Sequence, residues 1–290
     1  MQRSVIFFLV LLAATQSGCS LVLADDITQC QTDADCSAKG AAAATTVCQA
    51  NRCVASEPAM MTGWECLGKL EPIRTDAKRS VNLNLRLTDL KTSGLTGLAV
   101  NYCYSLDPAC TPINAEDAYS DADGQVSLEV PWGLHGIVII TGDANIVPTL
   151  VYIDPPPTAP TNAITIPILD VDTVALMSLL TGKLVDPETG MVLLSTSDCT
   201  LQYNPLTPGV SYELDSPGEN TVQFYLVNQQ PDTSATQTGA NSVGGFANVP
   251  PGLALISARV PDLDNLAVGH GNFLVRKGWL TYATISPFDQ

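Results

Sequence analysis

The sequence predicts an all-β chain, in which two tandem seven-stranded β-sandwich domains follow a small disulfide-rich N-terminal segment. Three observations carry this. Apolar and polar residues alternate over short runs between Val81 and Ile285, the period-two mark of half-buried strands. Turn residues break these runs, and one stretch alone, Thr173–Leu180, reads as a helix. Nine cysteines in 290 residues point to covalent staples.

The first residues read as an export signal (residues 1–18). Arg3 gives a short positive start, and Val5–Ala14 is an apolar run too short to span a bilayer. Gln16-Ser17-Gly18-Cys19-Ser20 resembles the lipobox of bacterial lipoproteins, with Gln16 where the lipobox has an aliphatic residue. That resemblance implies cleavage before Cys19, lipid on its sulfur and a membrane anchor. The rival is cleavage after Ala24, which releases a soluble protein. An outer-membrane or cell-surface lipoprotein is the preferred address, and a secreted or periplasmic protein is the alternative.

With Cys19 set apart, eight cysteines remain, at 30, 36, 48, 53, 66, 103, 110 and 199. An even number in an exported chain reads as four disulfides. Cys30, Cys36, Cys48 and Cys53 sit among small polar residues that bury no core of their own, so crosslinks must hold this knot (residues 19–56). Cys30 with Cys48 and Cys36 with Cys53 is the first choice of three connectivities. Zinc is the competing reading, but the close C-x₂-C spacing is missing and no histidine lies nearby. Cys103 and Cys110 flank a Pro-containing loop and suit a local bridge, leaving Cys66 with Cys199; Cys66 with Cys103 or Cys110 stays open.

After a polar transition (residues 57–79), Val81–Thr88 alternates strictly. Leu98–Tyr102 and Val126–Val130 repeat the pattern, and Ile137–Ile140 is a continuous apolar run fit for a buried strand. Leu150–Ile153 and Ile164–Ile168 flank a proline-rich connection that cannot donate ladder bonds. They complete a first sandwich over residues 80–170. A linker with the short helix (171–187) ends in the turn Asp186-Pro-Glu-Thr-Gly190. A second sandwich (188–290) then uses Met191–Ser197, Val210–Leu214, Val222–Val227, Phe246–Val249, Ala254–Val260, Phe273–Val275 and Leu280–Ile285.

The halves read as copies of one another. Thr96-Gly97-Leu98-Ala99-Val100 parallels Pro208-Gly209-Val210-Ser211, Asp123–Gly133 parallels Gly244–Gly252, and Ile164–Pro167 parallels Thr284–Pro287, in the same order and at an offset of about 110 to 120 residues. The run from Gly124 through Val130-Pro131-Trp132-Gly133, with its shortened second form ending Val249-Pro250-Pro251-Gly252, is similar to a signature of carboxypeptidase regulatory-like domains in the transthyretin-like group. Gly182–Leu193 resembles that family's opening strand and turn, and the cysteine-rich head resembles the N-termini of Gram-negative lipoproteins. The resemblance implies a sandwich fold and a structural or binding role; the regulatory name does not imply peptidase activity.

Composition narrows the partners. Thirteen basic against 29 acidic residues give a net charge of -16, a field that repels phosphate backbones and argues against nucleic acid. His135 and His270 each adjoin glycine and read as turn residues; no G-x-S-x-G or H-E-x-x-H pattern accompanies them. Asp121-Ala122-Asp123-Gly124 fails the calcium-loop register, since Tyr119 and Val130 fall on ligand positions, and reads as a turn. Trp64, Trp132 and Trp279 would form a sugar platform only if they shared an exposed face. No acidic pair suits a glycosidase. The reading is a non-enzymatic lipoprotein without catalytic residues, cofactor or metal. It is held to the membrane by lipid on Cys19 and presents a structural or ligand-binding surface to an envelope protein or glycan. A carbohydrate- or peptidoglycan-binding accessory module is the alternative.

Overall fold

The computed structural model describes residues 30–37, 46–49, 52–55, 63–69, 73–114, 116–161, 164–199 and 207–287. The export signal and Cys19 lie outside them. The chain divides into two units, Met1–Met61 and Thr62–Gln290.

In the first unit a single helical turn, α1 (Asp33–Ser37), accompanies a hairpin of β1 (Thr46–Gln49) and β2 (Arg52–Ala55). Cys48 and Cys53 face each other across the hairpin. They bond outward, Cys48 to Cys30 and Cys53 to Cys36, with Cα atoms 5.7 and 5.5 Å apart. Two covalent bonds do here what an apolar core does elsewhere.

The regular structure of the second unit is all strand but for one helix among the described residues. Its first half contains β3 (Asp76–Thr88), β4 (Ala99–Tyr104), β5 (Ala118–Tyr119), β6 (Gln125–Trp132), β7 (Gly136–Thr141), β8 (Thr149–Tyr152) and β9 (Ile164–Pro167). Helix α2 (Val171–Leu180) follows, with Asp170 accepting the Thr173 N–H at 2.6 Å as its N-cap. The second half contains β10 (Gly190–Thr196), β11 (Ser211–Leu214), β12 (Val222–Val227), β13 (Gln230–Asp232), β14 (Val243–Val249), β15 (Gly252–Val260), β16 (Leu266–Val275) and β17 (Leu280–Ile285).

The pairings expose an internal repeat. In the first half β3 lies between antiparallel β6 and parallel β9. In the second half β10 lies between antiparallel β14 and parallel β17. Opposite these, β4, β7 and β8 form an antiparallel meander, matched by β11, β15 and β16. Each stretch that parallels another in the sequence falls on equivalent strands: β4 and β11, β6 and β14, β9 and β17. Both halves are therefore sandwiches of the same plan.

They are fused edge to edge. β8 of the first sandwich pairs in parallel with β17 of the second, so one nine-stranded sheet runs through both, in the order β13-β12-β14-β10-β17-β8-β7-β4-β5. Side chains alternate between its faces. On one face Val138, Ile140 and Val151 pack beneath the three-stranded sheet β6-β3-β9. On that same face Met191, Leu193 and Leu280 meet Val174 and Met177 of α2. On the other face Val192, Leu194, Ala283 and Ile285 pack beneath β11-β15-β16. The two covering sheets thus lie on opposite faces of the shared one.

Trp64, 4% exposed, belongs to the second sandwich's core. Its neighbour Cys66 is bonded to Cys199, and Gly63 O accepts the Cys199 N–H at 2.7 Å. Cys103 and Cys110 close the loop after β4 over the first sandwich.

Candidate functional site: a cleft at the seam

Where the sandwiches join, the edge of β16 stands over the ends of β7, β8 and β17, leaving a cleft of about 520 Å³. Its polar lining includes His135, Tyr152, Asp154, His270, Asn272 and Ser286. The two histidines read separately as turn residues therefore face one cavity, brought there from the start of β7 and the middle of β16. Sequence spacing carries no trace of this, because the seam that unites them is a contact between repeats.

Several of these groups are held firmly. His135 Nε2 lies 2.6 Å from Ile73 O; a carbonyl only accepts, so this nitrogen carries the proton. The Ser105 N–H and hydroxyl both lie 3.1 Å from His135 O, fixing the loop that forms one wall. Tyr152 accepts the Leu274 N–H at 2.6 Å and meets Phe273 edge-on at 5.0 Å. Burial pushes its hydroxyl up to about 12, so it stays neutral. Ser286, 2% exposed, donates to Asp154 Oδ1 at 2.8 Å. Here the Ser286 proton is directed to the Asp154 carboxylate, a fixed hydrogen bond between the first sandwich and the second.

The other residues singled out in the sequence are dispersed. Trp132 carries the Arg79 guanidinium 4.8 Å from its ring centroid, and Trp279 carries Arg276 at 5.2 Å. With Trp64 buried in the core, the three tryptophans do not share one exposed face. Asp121 Oδ1 accepts the Asp123 and Gln125 N–H groups at 2.9 and 2.8 Å, while Gly124 takes a φ of +76°, the geometry of a local turn. Cys30, Cys36 and Cys53 place their sulfurs within 4.8 Å of one another. As disulfide sulfurs they lack the thiolate a zinc ion requires.

No protein-family model and no curated relative matches this chain. Among solved structures it is similar to the Bacillus anthracis TIE protein, at 11% identity and a TM-score of 0.25, covering 71% of this chain and 34% of that one. The chain thus spans about a third of the TIE protein's length. It is also similar to BcpA, the major pilin subunit of Bacillus cereus (8% identity, TM-score 0.25, 72% of this chain and 69% of that one). A third is the shaft pilin spaA from Lactobacillus rhamnosus GG (8% identity, TM-score 0.24, 72% and 98%). Likenesses at these scores carry no functional argument.

Proposed function

We propose that the chain is a non-enzymatic envelope lipoprotein whose fused β-sandwiches form a rigid binding and scaffolding module, with the seam cleft as its ligand site. One observation carries this reading. The cleft gathers polar groups of both sandwiches, among them His135 and Asp154 from the first and His270, Asn272 and Ser286 from the second. Four disulfides favour an exported chain, since such bonds persist outside the reducing cytosol. Among the described residues no helix is long and apolar enough to cross a membrane. The lipobox-like Cys19 supplies the anchor in this reading.

The carboxypeptidase regulatory-like resemblance agrees with the repeat, because the stretches that end at Gly133 and Gly252 run along the equivalent strands β6 and β14, with Gly124 in a turn before β6 and Gly244 and Gly245 inside β14. The intact mass of the mature protein tests the address. Acyl chains on Cys19 with the remaining eight cysteines oxidised are expected; a mass that starts at Asp25 contradicts the anchor.

A further inference from the structure

The repeat places a filled and an unfilled copy of one strand edge in the same molecule. β8 and β16 are equivalent third strands of their meanders. The outer edge of β8 is occupied, because β17 lies parallel to it, with Leu280 opposite Thr149, Thr281 opposite Leu150 and Tyr282 opposite Val151. Among the described residues the outer edge of β16 carries no strand.

Two hydrogen bonds define which main-chain groups that edge presents. The Leu274 N–H donates to the Tyr152 hydroxyl at 2.6 Å, and Leu274 O accepts from Thr281 Oγ1 at 2.7 Å, so both groups point away from β15. In an antiparallel strand, alternate residues aim their N–H and C=O to the same side. On β15, Leu255 O accepts the Asp215 N–H at 3.0 Å, so it points away from its partner Asn272, as this alternation requires. Asn272 and His270 therefore direct their own N–H and C=O outward, along the wall of the cleft. Both residues are exposed, and no other strand of the described residues pairs with them. Elsewhere the fold closes such an edge. On β11 the Tyr212 N–H donates to the Tyr225 hydroxyl at 3.0 Å, and Tyr212 O accepts from Gln223 Nε2 at 2.6 Å. At His270–Asn272 it does not.

We infer that the seam cleft binds an extended peptide of a partner protein, which adds as a parallel strand to β16 at His270–Asn272 as β17 adds to β8. This rests on the binding-module reading above and names its ligand. Main-chain pairing supplies the affinity in such complexes, and pockets for alternate side chains supply the selectivity. Three observations choose a peptide over other occupants. The cleft's volume of about 520 Å³ admits a few extended residues, and part of its lining is the 105–110 loop held by the Cys103–Cys110 bond. Leu106 and Leu253, 94% and 62% exposed, line it and offer apolar contacts to a peptide's side chains. The net charge of -16 and the carboxylate of Asp154 disfavour an acidic strand.

The probe is a capped peptide copying Gly278–Ser286, the strand that fills the equivalent edge, extended by two lysines for solubility and labelled for anisotropy against the full oxidised protein. Saturable binding is expected, with slowed amide hydrogen exchange at His270 and Asn272. Asn272→Pro removes one outward N–H that makes no bond to β15, and edge strands tolerate proline. It should weaken the peptide at least tenfold, while Asn272→Ala stays within about twofold, since the main chain makes the contact. Methylating alternate peptide nitrogens, in both registers, should abolish binding in one register. Equal binding of both methylated peptides, equal effects of the two Asn272 variants, or no saturation at all would overturn the inference. So would concentration-dependent self-association lost in Asn272→Pro, which would make a second copy the occupant. If chitooligosaccharides protect cleft amides and the peptide does not, the inference fails and the binding-module reading stands. If neither ligand perturbs the cleft, both fail.

Discussion

The Tyr225 hydroxyl decides how one sandwich edge ends. It accepts the Tyr212 N–H at 3.0 Å and the Gln223 amide at 2.7 Å, inside a core where Tyr212 also bonds Thr196 Oγ1 at 3.0 Å. Tyr225→Phe keeps the ring and orphans a buried N–H, a loss of about 1–3 kcal/mol that a urea midpoint will register. Burial also raises the hydroxyls of Tyr102, Tyr152, Tyr212, Tyr225 and Tyr282 above their ordinary 10.0. The folded state then holds protons that the unfolded chain releases. This stability is complete below pH 10 and is lost as pH rises, through about 12 for Tyr152. Tyrosinate absorbance should accordingly appear late and together with unfolding; early titration of these residues would contradict their burial. Gly124 is a backbone case. Its φ is +76°, and an added Cβ would sit 2.2 Å from Leu87 O, so Gly124→Ala should cost about 1–3 kcal/mol. That turn was legible from Asp121 and Gly124 alone. Asn248 was not: it holds a positive φ of 56° and ties down Asp186 and Leu184, contacts that no local pattern announces.

The elements show where period-two reading succeeds and where it stops. Strands β7 and β17 were legible because an apolar run or alternation covers nearly their whole length, and β3 was legible from Val81 onward, its first five residues being exposed or half-buried. β16 was legible only at its C-terminal end, since Gly269-His270-Gly271-Asn272 reads as a turn. Both glycines answer to packing: a Cβ at 269 would lie 2.7 Å from the Ile285 side chain, and one at 271 would lie 2.4 Å from the Phe273 ring. The sequence hid the candidate site in this same stretch, because a strand that must admit neighbours so closely loses its alternating signature. The staples differ in worth. By loop-closure entropy, Cys66–Cys199, spanning 133 residues, stabilises by about 5 kcal/mol, and Cys103–Cys110, spanning 7, by about 2.4 kcal/mol. Paired Cys→Ala replacements should therefore lower the denaturation midpoint roughly twice as far for the long loop; the reverse order would contradict the pairing. The Asp170 cap is smaller, and Asp170→Ala should cost about 1 kcal/mol with the loss confined to α2, read by hydrogen exchange.

Over residues 62–290, duplication and fusion account for the architecture together. Each sandwich buries its own apolar cluster, yet the β8–β17 pairing continues one sheet through both, and the cleft exists only along that seam. The repeat was visible in the sequence because Gly turns and Pro-Gly strand ends recur in order. The fusion was not, because nothing in β8 or β17 distinguishes a partner within one repeat from a partner in the next. A site built across this seam needs both sandwiches to hold together. Calorimetric unfolding of the oxidised protein tests that directly. A single transition for residues 62–290, with calorimetric and van't Hoff enthalpies equal, is the predicted result. Two resolved transitions, or a calorimetric enthalpy about twice the van't Hoff value, would show sandwiches that melt independently and would contradict the shared sheet.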